Sequence, residues 1–494
     1  YRIKDSFSGK DILSCYHPSE NFRVIEKDTW WSDSWDPMKY GRDFDFNKPF
    51  FEQFEEMQKE VPLISLHQAN NVNCEYTNYP ADCKNCYMIF GSVYSEDCLY
   101  GNPYSCRNCV DSLLVRDSEL CYDCITCEKC YQCFHSQDCT NSSMMMYCYD
   151  CHGCSDCIGC VGLANKKNYI FNKKYTPEEY RKVIATLDLC DKKQTTELKA
   201  QFEDLKKKLP HRSMVSLKVE NCTGDYIYES KNTSNSYDIQ RCWDCSNLAQ
   251  TIDMKDCEDC NYTEENELCY EYIAYYRNKN TMFSLGCFGS YNAQYSAYCM
   301  TCQNVFGCIG LKHKNFCIFN EQYTEDEYKK LVGQIIEYMK KSGEYGEFFP
   351  VSISPFCYNE TVAQEYFPLT KEEALARGYR WREKDPKEYL PQTFQVPEKI
   401  KEVPESILAE SLSCIDCGKN FRIQKAELMF LKKLGLPIPT KCPDCRHKDR
   451  LALRNPRELF QRTCAKCSTS IQTTYSPNRQ ETIYCEKCYL ESVY

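Results

Sequence analysis

Residues 121–133 read CYDCITCEKCYQC and residues 148–160 read CYDCHGCSDCIGC, so cysteine recurs at every third position in both runs. Cysteines also recur 12 residues apart, as in Cys127, Cys139 and Cys151. A period of three fits neither a strand, with period two, nor a helix, with period 3.6. The pattern predicts a mainly β fold, a short-coil β-solenoid whose inward cysteines stack in columns at about 4.8 Å.

The cysteine-rich pattern occurs twice, at a shift of 148 residues. GCVGL at 159–163 matches GCIGL at 307–311, and IFN recurs at 170 and 318. Each copy then reaches a capping-box sequence, TPEEY from Thr176 and TEDEY from Thr324. We therefore expect two tandem solenoids, 61–210 and 211–343, each closed by a helix. The first helix should run to about Lys208, and the second should end near 341–343.

Three hypotheses compete for the repeat cysteines. In the first, the cysteines are free thiols that pack in columns. In the second, they bind zinc or iron-sulfur clusters, and in the third, they form ladders of disulfides. In the second copy, Tyr272, Tyr275 and Asn278 stand where the first copy has cysteines, which favours packing. The candidate positions are Cys121, Cys124, Cys127, Cys130, Cys133, Cys151, Cys154, Cys157 and Cys160.

Two CxxC pairs with 24 intervening residues, and two more with 17, stand at the C-terminus. Four thiolates on two tight turns supply a closed tetrahedral shell, so we expect two structural zinc ions in small zinc-ribbon or treble-clef modules. Iron in a rubredoxin-like site is the alternative. The predicted metal ligands are Cys414, Cys417, Cys442, Cys445, Cys464, Cys467, Cys485 and Cys488.

A basic run lies between and around these pairs. It leads to the hypothesis that the tail docks on RNA, DNA or a ribonucleoprotein; a solvated face is the alternative. A protein partner is also open. The candidate nucleic-acid-binding residues are Lys441, Arg446, Lys448, Arg450, Arg454, Arg457 and Arg462.

Length and composition bound the remaining choices. A chain of 494 residues holds several domains, and its net charge of −10 excludes a general polyanion binder. The 39 cysteines are an odd number and include CxxC pairs, which indicates a reducing compartment. No apolar run approaches the ~20 residues that a membrane span requires. We expect a cytoplasmic protein without a membrane partner.

Residues 1–60 align with the C-terminus at a shift of 459. Tyr16 then matches Tyr475, while Asp5 and Ser8 replace the ligands Cys464 and Cys467. Chance is the alternative to common ancestry. The alignment predicts a degenerate, metal-free ribbon, and a counterpart of 414–455 upstream of Tyr1. Trp30, Trp31 and Trp35 should cap a solenoid end, 49–60 should form a helix, and 344–410 should be an extended linker with one helix over 370–377.

The motifs CIDCGKNF at 414–421 and FLKKLGLPIPTKCPDCR at 430–446 resemble the "probable zinc-ribbon domain" family. With WWSDSWDPMKYGRDFDFNKPFFEQF at 30–54 and SPFCYNETVAQEYFPLT at 354–370, the chain is similar to uncharacterised Cys-rich repeat proteins of reduced-genome bacteria. The resemblance implies zinc on the eight ligands and no known activity.

No catalytic residues are predicted, because no GxSxG, P-loop or HExxH motif occurs. The sequence therefore favours a non-enzymatic zinc-binding scaffold. The alternatives are an iron-sulfur electron-transfer protein, with clusters in the repeats, and a solenoid polysaccharide hydrolase or lyase.

Overall fold

The chain is mainly β in a computed structural model, which describes residues 1–243, 249–258, 261–270, 278–383, 386 and 388–493. The predicted fold class is confirmed at this level, because short strands in parallel and mixed sheets dominate. Ten α-helices lie in the described part of the chain.

The N-terminal region contains a hairpin, two helices and two further short strands. Its elements are β1 (Arg2–Lys4), β2 (Asp11–Leu13), β3 (Val24–Ile25), α1 (Lys27–Trp31), α2 (Phe50–Glu60) and β4 (Leu63–Ile64). Strands β1 and β2 pair antiparallel, with Ile3 opposite Ile12. Strand β3 pairs in parallel with β4, with Val24 opposite Leu63. The helix expected over 49–60 is α2.

The first cysteine-rich segment forms one nine-stranded sheet in sequence order. Its strands are β5 (Tyr87–Ile89), β6 (Leu99–Gly101), β7 (Val110–Leu113), β8 (Tyr122–Ile125), β9 (Tyr131–Phe134), β10 (Ser143–Met146), β11 (Ser155–Ile158), β12 (Lys167–Ile170) and β13 (Lys173–Lys174). Neighbours from β5 to β12 are parallel and in most places pair at a 12-residue offset, as Met145 does with Cys157. Near Cys98 the offset is 11 residues, since Leu99 pairs with Val110.

The three-residue period has a backbone origin. From Asn70 to Tyr100, and again from Ser105 to Asn168, every third residue has positive φ. Such a residue turns the chain sharply, so a 12-residue step contains four bends. Asn, Asp and Gly tolerate this conformation best, which explains why Asp123 and Asp150 directly precede cysteines. The cysteines between the bends point inward and form one buried cluster.

Two helices, not one, close the first segment: α3 (Pro177–Thr186) and α4 (Lys192–Lys208). The expectation of one continuous helix was wrong. Asp191 starts a new helix because its Oδ1 accepts hydrogen bonds from the backbone N–H groups of Lys193 and Gln194, at 2.9 and 3.2 Å.

The second cysteine-rich segment repeats the parallel arrangement. Its elements are β14 (His211–Arg212), β15 (Ser216–Leu217), β16 (Gly224–Tyr228), β17 (Ser236–Gln240), β18 (Cys242–Trp243), β19 (Ala249–Glu258), β20 (Asn261–Tyr270), β21 (Tyr291–Gln294), β22 (Gln303–Phe306), β23 (Asn315–Ile318), β24 (Glu321–Gln322) and α5 (Glu325–Ser342). Helix α5 ends at the left-handed Gly343, as expected. Tyr272 and Tyr275 lie outside the described residues.

The C-terminal part begins with short helices and ends in two small α/β units. Its elements are α6 (Ala363–Tyr366), α7 (Lys371–Ala376), β25 (Leu412–Ser413), β26 (Asn420–Phe421), α8 (Lys425–Leu434), α9 (Pro443–Ala452), β27 (Phe460–Thr463), β28 (Ser470–Thr473), β29 (Ile483–Tyr484) and α10 (Glu486–Val493). Helix α7 has the predicted capping box of Thr370 and Glu373.

The chain ends pack on the repeats in a crossed arrangement. The N-terminal region shares a core with the last strands of the second segment, including Trp30, Phe50 and Phe306. The ammonium of Lys312 lies 4.9 Å from the ring centroid of Trp30. The unit around α8 shares a core with the first segment. Trp30 thus packs on the segment that is distant in sequence, while Trp31 Nε1 donates to the carbonyl of Gln68 at the start of the adjacent segment.

Candidate metal centres

The first four-cysteine group joins the turn after β25 to the start of α9. Cys442 is the N-cap of α9 and Cys445 lies in its first turn. The sulfurs of Cys414, Cys417, Cys442 and Cys445 lie within 4.8 Å of one another, and those of Cys417 and Cys442 are 3.8 Å apart. Metal–sulfur bonds of ~2.3 Å in a tetrahedron place the sulfurs ~3.8 Å apart. The group therefore has the spacing of a four-thiolate metal site.

The second group is built in the same way on the β27–β28 hairpin and α10. Cys464, Cys467, Cys485 and Cys488 bring their sulfurs within 4.8 Å of one another. The sulfurs of Cys467 and Cys485 are 3.7 Å apart. Both groups fit zinc-ribbon modules, and their geometry is equally suited to zinc and to iron.

Both sites use the same tight turn to present their first two sulfurs. The N–H of Ser468 donates to the carbonyl of Cys464 at 2.9 Å, and Ser468 has φ of 60°. The N–H of Gly418 donates to the carbonyl of Cys414 at 2.9 Å, and Gly418 has φ of 70°. This left-handed residue folds the chain back, so that backbone N–H groups point at the sulfurs.

Those N–H groups favour the thiolate. Burial acts to raise the pKa of Cys464, but hydrogen bonds from the backbone N–H groups of Cys485, Cys467 and Lys466 lower it to about 6. Backbone N–H groups also lower the pKa of Cys414 to about 6, against the effect of burial. A thiolate is the form that binds a metal ion, so both turns are prepared for one.

The N-terminal hairpin repeats this turn with a carboxylate. Gly9 has φ of 71°, and its N–H donates to the carbonyl of Asp5 at 2.9 Å. The carboxylate of Asp5 accepts hydrogen bonds from the N–H groups of Phe7 at 2.9 Å, Ser8 at 2.6 Å and Glu26 at 2.6 Å. Burial acts to raise the pKa of Asp5, but these bonds lower it overall.

The three donors to Asp5 correspond, at the shift of 459, to the three that lower the pKa of Cys464. The strand registers agree as well. Arg2 lies opposite Leu13, and the matching Gln461 lies opposite Gln472. The carboxylate thus accepts the bonds that a metal-bound sulfur would receive.

Two of the predicted nucleic-acid-binding arginines are buried inside the protein. Arg446 Nη1 lies 2.9 Å from Asp111 and 3.0 Å from Glu427. Arg450 lies 3.0 Å from Asp111 and 3.0 Å from Asp123. Helix α9 therefore uses its arginines to hold the first cysteine-rich segment.

The next two arginines bind the second segment. Arg454 and Arg457 both pair with Asp238. Arg454 also lies over the ring of Tyr226, with 4.4 Å between its guanidinium carbon and the ring centroid. A guanidinium that is buried against a carboxylate is not available to a phosphate.

The last three basic candidates are more accessible but mostly occupied. Lys441 pairs with Asp416 and Asp449, each at 2.7 Å. Arg462 donates to the backbone carbonyls of Ser476 and Glu481. Lys448 is exposed. The nucleic-acid hypothesis is not supported, because the arginines that suggested it serve as internal contacts.

The described repeat cysteines form no group with the spacing of a metal site. Across the described ranges, groups of three or more ligand atoms within 4.8 Å occur only at the two C-terminal centres. The nine candidate cysteines of the first segment are all buried.

Each inward thiol lies against backbone carbonyls, and serine takes the same place with the same bonds. Cys154 Sγ donates to the carbonyls of His152 at 3.5 Å or Leu163 at 3.4 Å, and accepts from the N–H of Lys166 at 3.4 Å. Ser142, one 12-residue step earlier, donates to the carbonyls of Thr140 or Cys151 and accepts from the N–H of Cys154 at 3.1 Å. A small side chain with one donor therefore fits these positions, whereas Val115 and Met145 fill others in the same buried cluster without a donor.

Comparisons with known proteins do not assign a family. No family model matches the chain, and no curated protein matches it. One solved structure, described as a "putative acetyltransferase" from Desulfovibrio desulfuricans G20, covers 54% of this chain and 67% of its own at 9% identity, with a TM-score of 0.10. That likeness carries no argument. No helix of the described chain is long and apolar enough to cross a membrane.

Sequence reasoning missed the acidic partners of the arginines. Asp111 and Asp123 are 12 residues apart and both have positive φ, so they occupy equivalent bends on successive steps. The 12-residue period could have placed them side by side. Nothing in the sequence showed that α9 would bind there.

Proposed function

We propose that the protein is a zinc-binding scaffold in which two zinc modules bind intramolecularly to a pair of cysteine-rich β-solenoids. The observation that carries the proposal is the double use of α9. One turn of this helix supplies the metal ligands Cys442 and Cys445, and the next turns supply Arg446 and Arg450, which are buried against the first segment.

This arrangement makes the metal a condition for docking. Four-thiolate zinc sites contribute about 10 to 16 kcal/mol of binding free energy in small modules. Without the metal, the start of α9 is not fixed. Two buried arginines would then have to find their carboxylates from a disordered segment, at a cost in chain entropy.

The solenoid part of the proposal rests on the parallel 12-residue register and on the four left-handed bends in each step. Stacked steps of this kind leave a narrow interior that thiols and hydroxyls fill. The resemblance of the C-terminal tail to zinc-ribbon proteins is consistent with two zinc modules there.

Of the other functions considered, iron-sulfur electron transfer has less support. Among the described residues, the repeat cysteines form no group of three or more ligand atoms within 4.8 Å of one another, and the buried thiol of Cys148, whose pKa burial raises, donates to a backbone carbonyl. No specific observation favours a polysaccharide hydrolase.

Substitution of a single ligand tests the proposal. Cys445→Ser should reduce the metal content from two ions to one and make the bonds that follow α9 sensitive to limited proteolysis. Cys190→Ser, at a half-buried cysteine outside both metal groups, is the matched control and should change neither. Retention of two ions by the variant would contradict the proposal. So would the loss of one ion without any increase in proteolysis at the bonds that follow α9.

A further inference from the structure

A polar cavity of about 150 Å³ lies where four distant parts of the chain meet. The end of the first segment contributes Tyr149, and α4 with the following turn contributes Lys206 and His211. The start of the second segment contributes Asp225, and the loop after β28 contributes Tyr475. Junctions of this kind are common places for small-molecule sites. We call it the tyrosine cavity.

The centre of the tyrosine cavity is a neutral histidine between two phenols. His211 Nε2 lies 2.9 Å from the backbone carbonyl of Lys206, so Nε2 carries the hydrogen. The hydroxyls of Tyr475 and Tyr149 lie 3.2 and 3.4 Å from Nδ1 and 3.4 Å from each other, and the single lone pair of Nδ1 accepts from one of them. Burial lowers the pKa of His211. These hydroxyl contacts are long, which leaves the hydroxyls able to bind something else.

The other half of the chain contains an equivalent place in which Tyr16 matches Tyr475 but three of the polar residues are replaced by apolar ones. Strand β3 pairs with β4 as β29 pairs with β14, so His211 and Arg212 correspond to Leu63 and Ile64. At the shift of 148, Tyr149 corresponds to Ala297. Leu63, Ile64 and Ala297 are buried in an apolar core.

This difference between the two halves indicates selection for something other than stability. Burial of polar groups costs free energy unless they are fully hydrogen-bonded, and an apolar replacement is often as stable or more so. The other half shows that this architecture accepts Leu63, Ile64 and Ala297 at the positions of His211, Arg212 and Tyr149. Local departures from the most stable choice are typical of functional sites.

The charges around the cavity decide what it would hold. Arg479 is occupied by Glu481 and Asn455. Asp225 accepts from the Thr474 hydroxyl at 2.7 Å and from two backbone N–H groups. The hydrogen-bonding capacity of Arg479 and Asp225 is thus used largely within the protein, so neither group is well placed to bind a ligand.

Lys206 is the least matched of the lining charges. Its ammonium donates to Gln137 Oε1 at 3.1 Å and lies 4.1 Å from the ring centroid of Tyr149. No carboxylate lies within 4 Å of it among the described residues. Lys207 adds a further positive charge, and Glu203 a negative one. Burial lowers the pKa of Lys206, although the carboxylates of Glu203, Asp138 and Glu481 act to raise it.

We propose that the tyrosine cavity binds a small oxyanion, a carboxylate or a phosphate, through the ammonium of Lys206 and the hydroxyls of Tyr149 and Tyr475. The anion would supply a negative charge in direct contact with the ammonium. The neutral His211 would accept one phenol hydrogen at Nδ1 and hold the two hydroxyls together, and the other phenol hydrogen would be donated to the anion.

Calorimetric titration of the full chain with inorganic phosphate, and separately with glycolate, tests the proposal and distinguishes the two sources of the oxyanion. Lys206→Met should weaken binding of the preferred anion at least tenfold. Lys208→Met removes the same charge from an exposed lysine on the same helix and should change binding less than twofold. Failure of both anions to bind the wild type at about 10 mM, where even a weak site would register, would overturn the proposal. So would equal effects of the two substitutions.

A second variant separates binding from folding. His211→Leu introduces the residue that the other half of the chain uses. It should keep or raise the melting temperature and weaken anion binding at least tenfold. A lower melting temperature with unchanged binding would show that the histidine is structural and would contradict the proposal.

Discussion

Arg450 on α9 lies 3.0 Å from Asp111 in the first cysteine-rich segment, and the two side chains are 2% and 1% exposed. Breaking a buried pair by removing one partner leaves an uncompensated charge, which costs about 3–5 kcal/mol. We expect Arg450→Met to lower the free energy of unfolding, measured in urea, by that amount.

The control for Arg450 is Arg107, whose side chain is 61% exposed and pairs with Glu96. Arg107→Met should cost less than about 1 kcal/mol. Adding Asp111→Asn to Arg450→Met should recover part of the loss, because it removes one carboxylate from a buried cluster in which Arg446 is then shared by Asp111 and Glu427. If Arg450→Met lowers the free energy of unfolding no more than the control does, the pair does not stabilise the packing of α9 on the first segment.

The inward cysteines should tolerate serine but not a larger side chain. Cys148 is fully buried and donates to the carbonyls of Met146 or Cys157. Cys148→Ser keeps the donor and should change stability by less than about 1.5 kcal/mol. Cys148→Leu overfills a close-packed interior and should cost about 1–3 kcal/mol. Thermal unfolding of both variants would check this. A severe loss with serine, together with loss of a bound metal, would instead identify a ligand.

The carboxylate of Asp5 should stabilise the N-terminal hairpin, as a bound metal ion would stabilise the matching C-terminal hairpin. Asp5→Ala removes a carboxylate that accepts from three backbone N–H groups, and a hydrogen bond to a charged group contributes about 1.5–3 kcal/mol. We expect unfolding of the hairpin, seen as faster amide exchange over 1–26.

The matching gain-of-site experiment replaces Asp5, Ser8, Glu26 and Thr29 with cysteine together. These positions correspond to the ligands of the second metal centre, so the variant should bind one metal ion more than the wild type. An unchanged metal content would show that the two hairpins differ more than their registers indicate.

His67 should make the protein less stable in mild acid. Its ring stacks between Tyr79 and Tyr298 at 4.7 and 4.9 Å, and burial lowers its pKa to about 3. The unfolded state takes up a proton below about pH 6.5, whereas the folded state does not until about pH 3. Stability from this group is therefore complete above pH 6.5 and falls as the pH decreases towards 3. The loss by pH 5 should be about 2 kcal/mol.

His67→Phe keeps the stacked ring but cannot titrate, so it isolates this contribution. Urea unfolding at pH 7.5 and pH 5.0 should show a smaller drop in the variant than in the wild type. The same drop in both proteins would assign the acid sensitivity to other groups.

The sequence was enough to predict the repeats, because the constraint that creates them is local. A bend at every third residue fixes where cysteine, aspartate and asparagine can stand, as Asp123 and Cys124 illustrate. The two four-cysteine groups were equally visible, since CxxC spacing indicates a turn that brings two sulfurs together. Both depend on residues that lie close together in the chain.

What could not be predicted depends on contacts between distant residues. The basic run at 441–462 has the composition of a phosphate-binding surface, and only the fold shows that Arg446 and Arg450 face Asp111. The break between α3 and α4 was missed because the helix-compatible residues around it outweighed the signal of Asp191. The tyrosine cavity has no sequence motif, since its residues come from four separate parts of the chain.

The most direct test of the scaffold account is metal analysis of anaerobically purified protein, with a visible spectrum of the same sample. The account predicts about two zinc ions per chain, no iron or acid-labile sulfide, and no colour. Iron with sulfide, or several metal ions beyond two, would contradict it. Such a result would make the repeat cysteines at 121–160 the functional centre.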